Sequence, residues 1–172
     1  MTTSELLRVS ELSVDAAVSR VVLARVMGHA DTNLYGSVHG GTVMHLIDEA
    51  AAATAARHAG VPALTVRVEG MDFLAPAHVG DLVSARAQLV DVGRTSMRVR
   101  AVVTAERWNE LGPVVLIATA ELMFVAIDGQ GRPVEVPRLA PADVEWLAET
   151  VTEGAATATF VPRETGQRPR HT

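Results

Sequence analysis

The sequence predicts an α+β domain in which an antiparallel β-sheet wraps around one long buried α-helix. The helix is predicted because residues 40–58 are apolar around most of a helical circumference, as buried helices are. The sheet is predicted because four stretches after the helix alternate apolar with polar residues or are continuously apolar. At 172 residues the chain has the length of one domain and can bury a hydrophobic core.

Composition narrows the classes of function. The 15 basic and 20 acidic side chains give a formal net charge of -5, which argues against nucleic acid or an anionic membrane as the main partner. The absence of cysteine excludes disulfides, thiolate metal sites and a cysteine nucleophile. Neither a signal-peptide pattern nor a run of roughly 18 apolar residues is found, so we expect a soluble cytoplasmic protein.

The elements before the helix are a short lead-in, a strand and a loop. Residues 1–17 are polar and irregular and form the lead-in, while residues 18–139 form the folded domain. The valine-rich segment 18–27 predicts a first strand that ends at Gly28. A polar, glycine-rich loop then leads to Gly40.

The central helix is expected to begin at Gly40 or Gly41 and to end near His58, because Gly60 follows. One carboxylate, Asp48, lies two turns inside it. An ionised group on an apolar helix is costly unless it is paired, hydrated or used, so Asp48 is the first candidate for chemistry.

Four further strands are predicted after the helix, at residues 63–74, 81–91, 95–107 and 114–127. The turn around Gly93 has the length of a hairpin connection, and Gly70 predicts a bulge. Residues 140–172 form a tail, in which residues 141–151 predict a short helix and the remainder predicts disorder.

Several short motifs, in order and at characteristic spacing, make residues 21–139 resemble the hotdog-fold acyl-CoA thioesterases. Within that family they resemble the group of broad-range acyl-CoA hydrolases, which includes brain acyl-CoA hydrolase and its short bacterial relatives. The motifs are Asp31-Thr32-Asn33-x-x-Gly36, Gly40-Gly41, Ile47-Asp48-Glu49-Ala50, Phe73-x-x-Pro76, Val79-Gly80-Asp81, Val92-Gly93-Arg94-Thr95-Ser96 and Phe124-Val125-Ala126-Ile127-Asp128. One difference is visible, since family members commonly have Phe before the two glycines, where this chain has His39.

The resemblance implies a hotdog fold and hydrolysis of acyl-CoA thioesters to a free acid and coenzyme A. Asp48 is then the catalytic carboxylate, either as a general base on water or as a nucleophile on the carbonyl carbon. Asn33 holds water or substrate across a dimer interface from the partner's Asp48. The backbone N–H groups of Gly40 and Gly41, at the helix N-terminus, suit an oxyanion hole, with Gly41 as the first candidate.

Each of these residues also has a structural interpretation. Asp48 can be bonded to a neighbour, Asn33 can close an Asx turn, and the two glycines can simply ease the chain into the helix. The residues expected to bind the substrate lie near the thioester or the coenzyme A moiety: His39, Thr65, Gly93, Arg94, Thr95 and Ser96. Arg94 is expected to meet a phosphate, and Thr95 or Ser96 the pantetheine amides.

No metal or redox cofactor is expected, because coenzyme A is part of the substrate itself. His45 and Glu49 have a spacing that can bind metal on a helix, but no third ligand joins them at a recognisable spacing. A sheet curled on one helix leaves an edge strand and an apolar face uncovered. We therefore expect a homodimer, alone or as a trimer of dimers.

Two other functions remain open from the sequence. A hotdog hydratase or dehydratase acting on enoyl thioesters would use His39 as a base near Asp31, although no hydratase motif is present. A non-catalytic acyl-CoA sensor would keep Asp48 only for the fold. Such sensors usually carry a DNA-binding segment, and residues 1–17 are too short and not basic enough to be one.

Overall fold

A five-stranded antiparallel sheet wraps around a 20-residue helix in the computed structural model, which describes residues 9, 12–107, 109–140 and 146–147. The elements in chain order are β1 (Ser13–Val14), α1 (Ala16–Ser19), β2 (Val21–Val26), α2 (Gly40–Ala59), β3 (Ala63–Phe73), β4 (Leu82–Val92), β5 (Ser96–Glu106), β6 (Val115–Ala126) and β7 (Arg138–Leu139). The strand order in the sheet is β2-β4-β5-β6-β3. This is the α+β architecture that the sequence predicts.

The helix α2 lies against the sheet on small side chains. Ala50, Ala51 and Ala55 are fully buried, so the helix backbone can approach the strands closely. Thr54 is buried as well, and its hydroxyl donates to the carbonyls of Ala50 at 2.9 Å and of Ala87 in β4 at 3.3 Å. The helix is therefore fixed to the sheet by packing and by one hydrogen bond between the layers.

Both ends of α2 agree with the predicted boundaries. The helix begins at Gly40 and ends at Ala59, one residue after the predicted end. Gly60 follows with a φ of 68°, a left-handed conformation that glycine adopts without a steric cost, and its N–H donates to Ala56 O. The buried His58 side chain bonds through Nε2 to the Pro137 carbonyl at 2.9 Å, which ties the helix end to the segment before β7.

The central strand β5 has the predicted division into a buried and a partly exposed face. Met97, Val99, Ala101 and Val103 are fully buried in the core beneath α2. The opposite face carries Arg98, which lies near the carboxylates of Glu121 in the neighbouring β6 and of Glu69 in β3, one strand further along the sheet. The period of two in the sequence therefore identifies which face of β5 meets the helix.

Strand β3 forms one edge of the sheet and is irregular. Its pairing with β6 shifts register between Thr65 and Arg67 and again between Val68 and Gly70, so the bulge predicted at Gly70 is confirmed. The first shift, around Val66, was not predicted, because no glycine lies there. Thr65 pairs with the buried Phe124, and because paired residues project to the same side of a sheet, Thr65 faces α2.

Of the predicted lead-in, residues 1–8, 10 and 11 lie outside the described residues, and residues 12–27 contain more regular structure than the sequence suggests. The predicted first strand, residues 18–27, is shorter at both ends, because β2 covers Val21–Val26 and Val18 lies in the helical turn α1. Asp15 caps that turn by accepting the Ala17 N–H at 2.8 Å. Strand β1 pairs in parallel with β7, about 125 positions later in the chain, a contact that no local pattern announces.

Most of the predicted tail helix, residues 141–151, and the predicted disorder after it lie outside the described residues. Within this region Trp146 and Leu147 are described, and they pack on Val102 and Leu116 of the sheet. In the part of the chain that the structure describes, none of the helices is long and apolar enough to cross a membrane.

Candidate active site

Asp48 and Thr65 meet at the surface between α2 and β3. The Thr65 hydroxyl donates a hydrogen bond of 2.7 Å to Asp48 Oδ1. Asp48 is only partly exposed, and no other hydrogen bond or ion pair to its carboxylate exists among the described residues. One carboxylate oxygen is thus oriented by a strand hydroxyl, and the other is available to a water molecule or a substrate.

The N-terminus of α2 is capped by the side chain of His39. Its Nδ1 accepts the Gly41 N–H at 2.9 Å, and its carbonyl accepts the Thr42 N–H at 2.9 Å. Of the first N–H groups of the helix, that of Gly40 donates no hydrogen bond within the described chain. Sequence reasoning favoured Gly41 as the first oxyanion donor, whereas the geometry leaves Gly40 open and Gly41 occupied.

Asp48 and the helix N-terminus are too far apart to serve one carbonyl group. They are separated by eight positions of the same helix, and the rise of 1.5 Å per residue makes this roughly 12 Å along the axis. An attacking atom must lie about 3 to 3.5 Å from the carbonyl carbon, and an oxyanion donor about 3 Å from the oxygen. Asp48 with Thr65 and the N-terminus of α2 with the loop before it are therefore two separate regions of the chain, which we call half-sites.

Asn33 lies in the loop before α2, where its amide group is used locally. Its Oδ1 accepts the Tyr35 N–H at 2.8 Å and the Ser37 N–H at 3.3 Å, and its Nδ2 donates to Ser37 Oγ at 2.9 Å. This is the Asx turn that was one of the two interpretations of Asn33. The residues at the tip, Leu34 and Tyr35, are 100% and 92% exposed, so the loop projects from the chain.

The hairpin at residues 93–96 is separate from both half-sites in sequence but lies at the same end of the sheet as Thr65. Ser96 pairs with Val125 of β6, and Val125 pairs with Leu64 of β3. Two strand spacings place the hairpin about 10 Å from the start of β3. The Arg94 side chain is exposed and lies 3.7 Å from Glu135.

Glycine at position 93 has a steric reason. A Cβ there would lie 2.6 Å from Ser96 Oγ, closer than side-chain carbon atoms approach, and the Gly93 N–H donates to Ser96 O at 2.8 Å. Thr95 O accepts the Ala126 N–H at 3.0 Å, which ties the hairpin to β6. These contacts explain the shape of the turn.

The Val79-Gly80-Asp81 motif has a structural role. Asp81 is buried; its Oδ1 lies 3.0 Å from Arg107 Nη2, and its Oδ2 accepts the His78 N–H at 2.8 Å. Arg107 Nη1 also donates to the Val79 carbonyl at 3.0 Å. The turn before β4 is therefore locked to the end of β5.

Sequence reasoning missed an apolar cavity beside Gly40. It has a volume of about 360 Å³ and is lined by Val38, Gly40, Val43, Phe73, Leu74, Ala75, Pro76, Ala77 and Ile117. Phe73 packs against Gly40, because a Cβ on Gly40 would lie 3.4 Å from its ring. The motif Phe73-x-x-Pro76 contains the signal, since both of its named residues line this cavity.

The metal site considered for His45 and Glu49 gains no further ligand. The two exposed side chains lie 3.4 Å apart. No group of three or more histidine, aspartate or glutamate side chains that could hold a metal ion occurs in the described residues. The pair is therefore a surface contact between two helix positions one turn apart.

The antiparallel sheet wrapped on one long helix is the fold of the hotdog thioesterases, and comparisons with solved structures agree. An apo-hexameric acyl-CoA thioesterase superposes with a TM-score of 0.75 at 35% identity, over 81% of this chain and 90% of that one. The acyl-CoA hydrolase of Staphylococcus aureus, in complex with butyryl-coenzyme A, coenzyme A and coenzyme A disulfide, superposes with a TM-score of 0.71 at 33% identity, over 82% and 87% of the two chains.

Sequence comparisons lead to the same group. Residues 35–110 match the model of the thioesterase superfamily. An acyl-CoA thioester hydrolase of Zymomonas mobilis, described as uncharacterized, is 42% identical over 63% of this chain and 72% of its own length. The acyl-CoA thioester hydrolase YciA of Escherichia coli K12 is 35% identical over 68% and 90% of the two chains. The chain belongs to the acyl-CoA thioester hydrolases of this superfamily and is an acyl-CoA thioesterase.

Three solved variants of the S. aureus hydrolase replace an asparagine, an aspartate and a threonine by alanine. In that protein the asparagine precedes the aspartate by 15 positions, and the threonine follows it by 17. Asn33, Asp48 and Thr65 have the same spacing in this chain.

Proposed function

We propose that two copies of the chain form each active site for acyl-CoA hydrolysis. One copy contributes Asp48 and Thr65, and the other contributes Asn33 and the Gly40 N–H. Water adds to the thioester carbonyl, the carbon–sulfur bond breaks, and the products are a carboxylic acid and the thiol of coenzyme A. This reaction needs no metal or redox cofactor.

The observation that carries the proposal is the roughly 12 Å between Asp48 and the N-terminus of its own helix. Formation of a tetrahedral intermediate needs a nucleophile, or water activated by a base, at the carbonyl carbon. It needs hydrogen-bond donors at the carbonyl oxygen at the same time. One chain cannot supply both to a single substrate. Two chains with their half-sites face to face can, and the projecting loop that carries Asn33 can then reach the second copy.

Asp48 acts in this site as the general base for water or as the nucleophile itself. Both roles need an ionised carboxylate with a fixed orientation. The Thr65 hydroxyl supports this, because it holds Oδ1 and aims the second oxygen away from the strand. The matching spacing of the three residues that were replaced in the S. aureus hydrolase supports the same set.

Gly40 is the proposed first donor to the oxyanion. Its N–H lies at the positive end of the α2 dipole and has no other acceptor in the described chain. The apolar cavity lies against the same residue, so a carbonyl oxygen bound there can place the adjoining acyl chain in the cavity. The exposed Arg94 and the hairpin residues Thr95 and Ser96 are proposed to contact the coenzyme A moiety.

The dimer is proposed to form along β3. This strand lies at the edge of the sheet, with unpaired backbone groups on one side, and Leu64 and Val66 are 54% and 56% exposed. Pairing of two such edges would cover both apolar side chains and join two sheets into one. Hexameric thioesterases are among the solved relatives, which fits further assembly of such dimers into a trimer.

Nothing in the geometry favours a hydratase. His39 Nδ1 is occupied by the Gly41 N–H, and the Asp31 carboxylate is held by Arg25 Nη2 at 2.6 Å and by the Gly28 N–H at 2.8 Å. Neither group is therefore poised to remove a proton from an acyl chain. The curated relatives are named as hydrolases, which also disfavours a non-catalytic sensor.

Co-expression of two inactive variants tests the shared site. Asp48→Ala and Asn33→Ala are each expected to release little free thiol from acyl-CoA esters. Random pairing makes half of the dimers mixed, and each mixed dimer regains one intact site, so about a quarter of the wild-type activity should return. Two copies of the same variant, co-expressed in the same way, are the control. If the mixture stays as inactive as that control, the active site is not shared between chains.

A further inference from the structure

The residue type at the N-cap of α2 is unusual. His39 has the extended backbone of an N-cap residue, with φ of -65° and ψ of 130°, and its ring takes the Gly41 N–H. Ser, Thr, Asp and Asn usually fill this position, because their side-chain oxygen is always an acceptor. An imidazole nitrogen accepts a hydrogen bond only while it carries no proton. The cap seen here therefore requires neutral His39, with its proton on Nε2.

We propose that His39 is a positioning residue that releases the Gly41 N–H when it takes up a proton. In the neutral form the ring holds this donor, and Gly40 alone serves the oxyanion. In the protonated form Nδ1 is itself a donor, so the Gly41 N–H is freed as a second oxyanion donor. The inference rests on the proposed function, because it assumes that the N-terminus of α2 binds the thioester oxygen.

Local packing allows the ring to open and close without disturbing the fold. A Cβ at position 41 would lie 3.1 Å from His39 Nδ1 and 3.3 Å from Cε1, so glycine leaves the room that the ring uses. The His39 side chain is exposed, and its backbone N–H donates to Asp31 O at 2.7 Å. Rotation of the ring alone can therefore break the cap, while the backbone stays in place.

The charged groups on the elements next to His39 are occupied elsewhere. In the preceding loop, Asp31 is paired with Arg25. In the segment before β4, which bonds to the Val38 N–H, the His78 ring lies 3.9 Å from the buried Asp81. Neither pair includes His39, and no described ion pair does.

On α2 itself, the next titratable side chains are His45, Asp48 and Glu49; His45 and Glu49 contact each other, and Asp48 is bonded to Thr65. They lie at least six positions further along, roughly 9 Å of helix rise. On β3, Asp72 pairs in register with Thr119 and not with a core residue, so it projects away from α2.

Two variants separate the capped from the released state. His39→Asn keeps a cap that cannot titrate, because the amide oxygen is always an acceptor. His39→Phe removes the cap at every pH. Thiol release from one acyl-CoA ester is measured for wild type and both variants from pH 5.5 to 8.5. Activities are expressed as ratios at each pH, so that pH effects common to all three proteins cancel.

The expected ratios change in opposite ways across the range where histidine ordinarily titrates. As the pH falls, the activity of wild type should rise about fivefold relative to that of His39→Asn. His39→Phe should be about fivefold more active than wild type at high pH and should lose this advantage as the pH falls. Both changes correspond to one net hydrogen bond. Ratios that stay constant over the whole range overturn the inference. Thermal melts of both variants show whether either change has a cause in folding.

An NMR titration tests the cap without turnover, on the Asp48→Asn protein. The ¹⁵N shifts of the His39 ring and of the Gly41 amide should move with the same midpoint, and the Gly41 response should vanish in His39→Asn. A Gly41 amide that ignores the ring's titration overturns the cap switch. A failure of the co-expression experiment instead overturns the shared site, so the two results are distinguishable.

Discussion

The two half-sites differ in how their functional groups are held. Asp48 is oriented by Thr65, a residue from another element and 17 positions later in the chain. The side chains of Asn33 and His39 are instead held by groups within four positions of themselves. The carboxylate of Asp48 is therefore oriented by the tertiary fold, whereas the side chains of the loop and the helix N-terminus form hydrogen bonds with groups nearby in the sequence.

Removing the charge of Asp48, whose half-site is organised by the tertiary fold, should have the largest effect on kcat. Asp48→Asn is expected to lower kcat about 1000-fold, because general-base catalysis contributes between about 100-fold and 10,000-fold. The amide oxygen can still accept from Thr65, so the melting temperature should change little. Glu49→Gln is the matched control: the next side chain is turned about 100° around the helix, and its variant should keep wild-type kcat. Equal loss in both variants would remove Asp48 from the mechanism.

Separating the two halves should have the next largest effect. The double change Leu64→Lys and Val66→Lys puts two charges on the β3 edge and should give monomers by light scattering, with activity lowered about 100-fold. Val22→Lys is the matched control, because Val22 is similarly exposed, at 48%, on β2 at the opposite edge of the sheet. A fully active monomer would show that one chain forms a complete site.

The variant Asn33→Asp distinguishes the role of Asn33 in its own turn from its proposed catalytic role. The carboxylate keeps the acceptor for the Tyr35 and Ser37 N–H groups, so the turn should survive. The Nδ2 donor is lost, and a negative charge replaces it near the partner's Asp48. We expect kcat to fall between about tenfold and 100-fold, with an unchanged melting temperature. Wild-type kinetics would instead assign Asn33 to the turn alone.

Thr65→Val tests how strongly the fold organises the carboxylate. The change keeps the shape of the side chain and removes the 2.7 Å hydrogen bond to Asp48. Loss of a bond to a charged group should lower kcat about tenfold and leave the substrate KM nearly constant. Thr65→Ser keeps the hydroxyl and should retain most of the activity. If Val and Ser variants behave alike, the hydroxyl does not position Asp48.

The same difference between the half-sites explains what the sequence could and could not predict. The helix from Gly40 to Ala59 and the buried face of β5 follow from periodicity, which is local. Asp48 could be selected as a candidate from the sequence because it is a charged residue on an apolar helix. Its contact with Thr65 depends on an unsignalled bulge at Val66 and on the register between β3 and β6, which only the folded sheet defines.

Local contacts were missed for another reason. The His39 cap spans two positions and lies within reach of sequence reasoning, but His is not among the usual N-cap residues. Gly41 therefore looked like the free donor. The pairing of β1 with β7 joins the two ends of the domain, and strands of two residues carry no pattern of their own.

A change in a turn that has no described contact with either half-site should have the smallest effect on kcat and sets the baseline for the others. Asp128 closes the turn after β6, where the Arg132 N–H and then the Gln130 N–H hold the pKa of its carboxyl below its usual range. A lowered folded-state pKa means that the carboxylate stabilises the fold above the unfolded-state pKa. That contribution is lost as the pH falls through the folded-state pKa.

Asp128→Ala should therefore leave kcat unchanged and lower the melting temperature slightly near neutral pH. The difference from wild type should shrink as the pH falls below about 4, where the wild-type carboxyl also becomes protonated. Thermal melts between pH 7 and pH 3 measure this. A difference that grows toward acid pH would reverse the sign of the linkage, and a drop in kcat would mean that the turn communicates with a half-site.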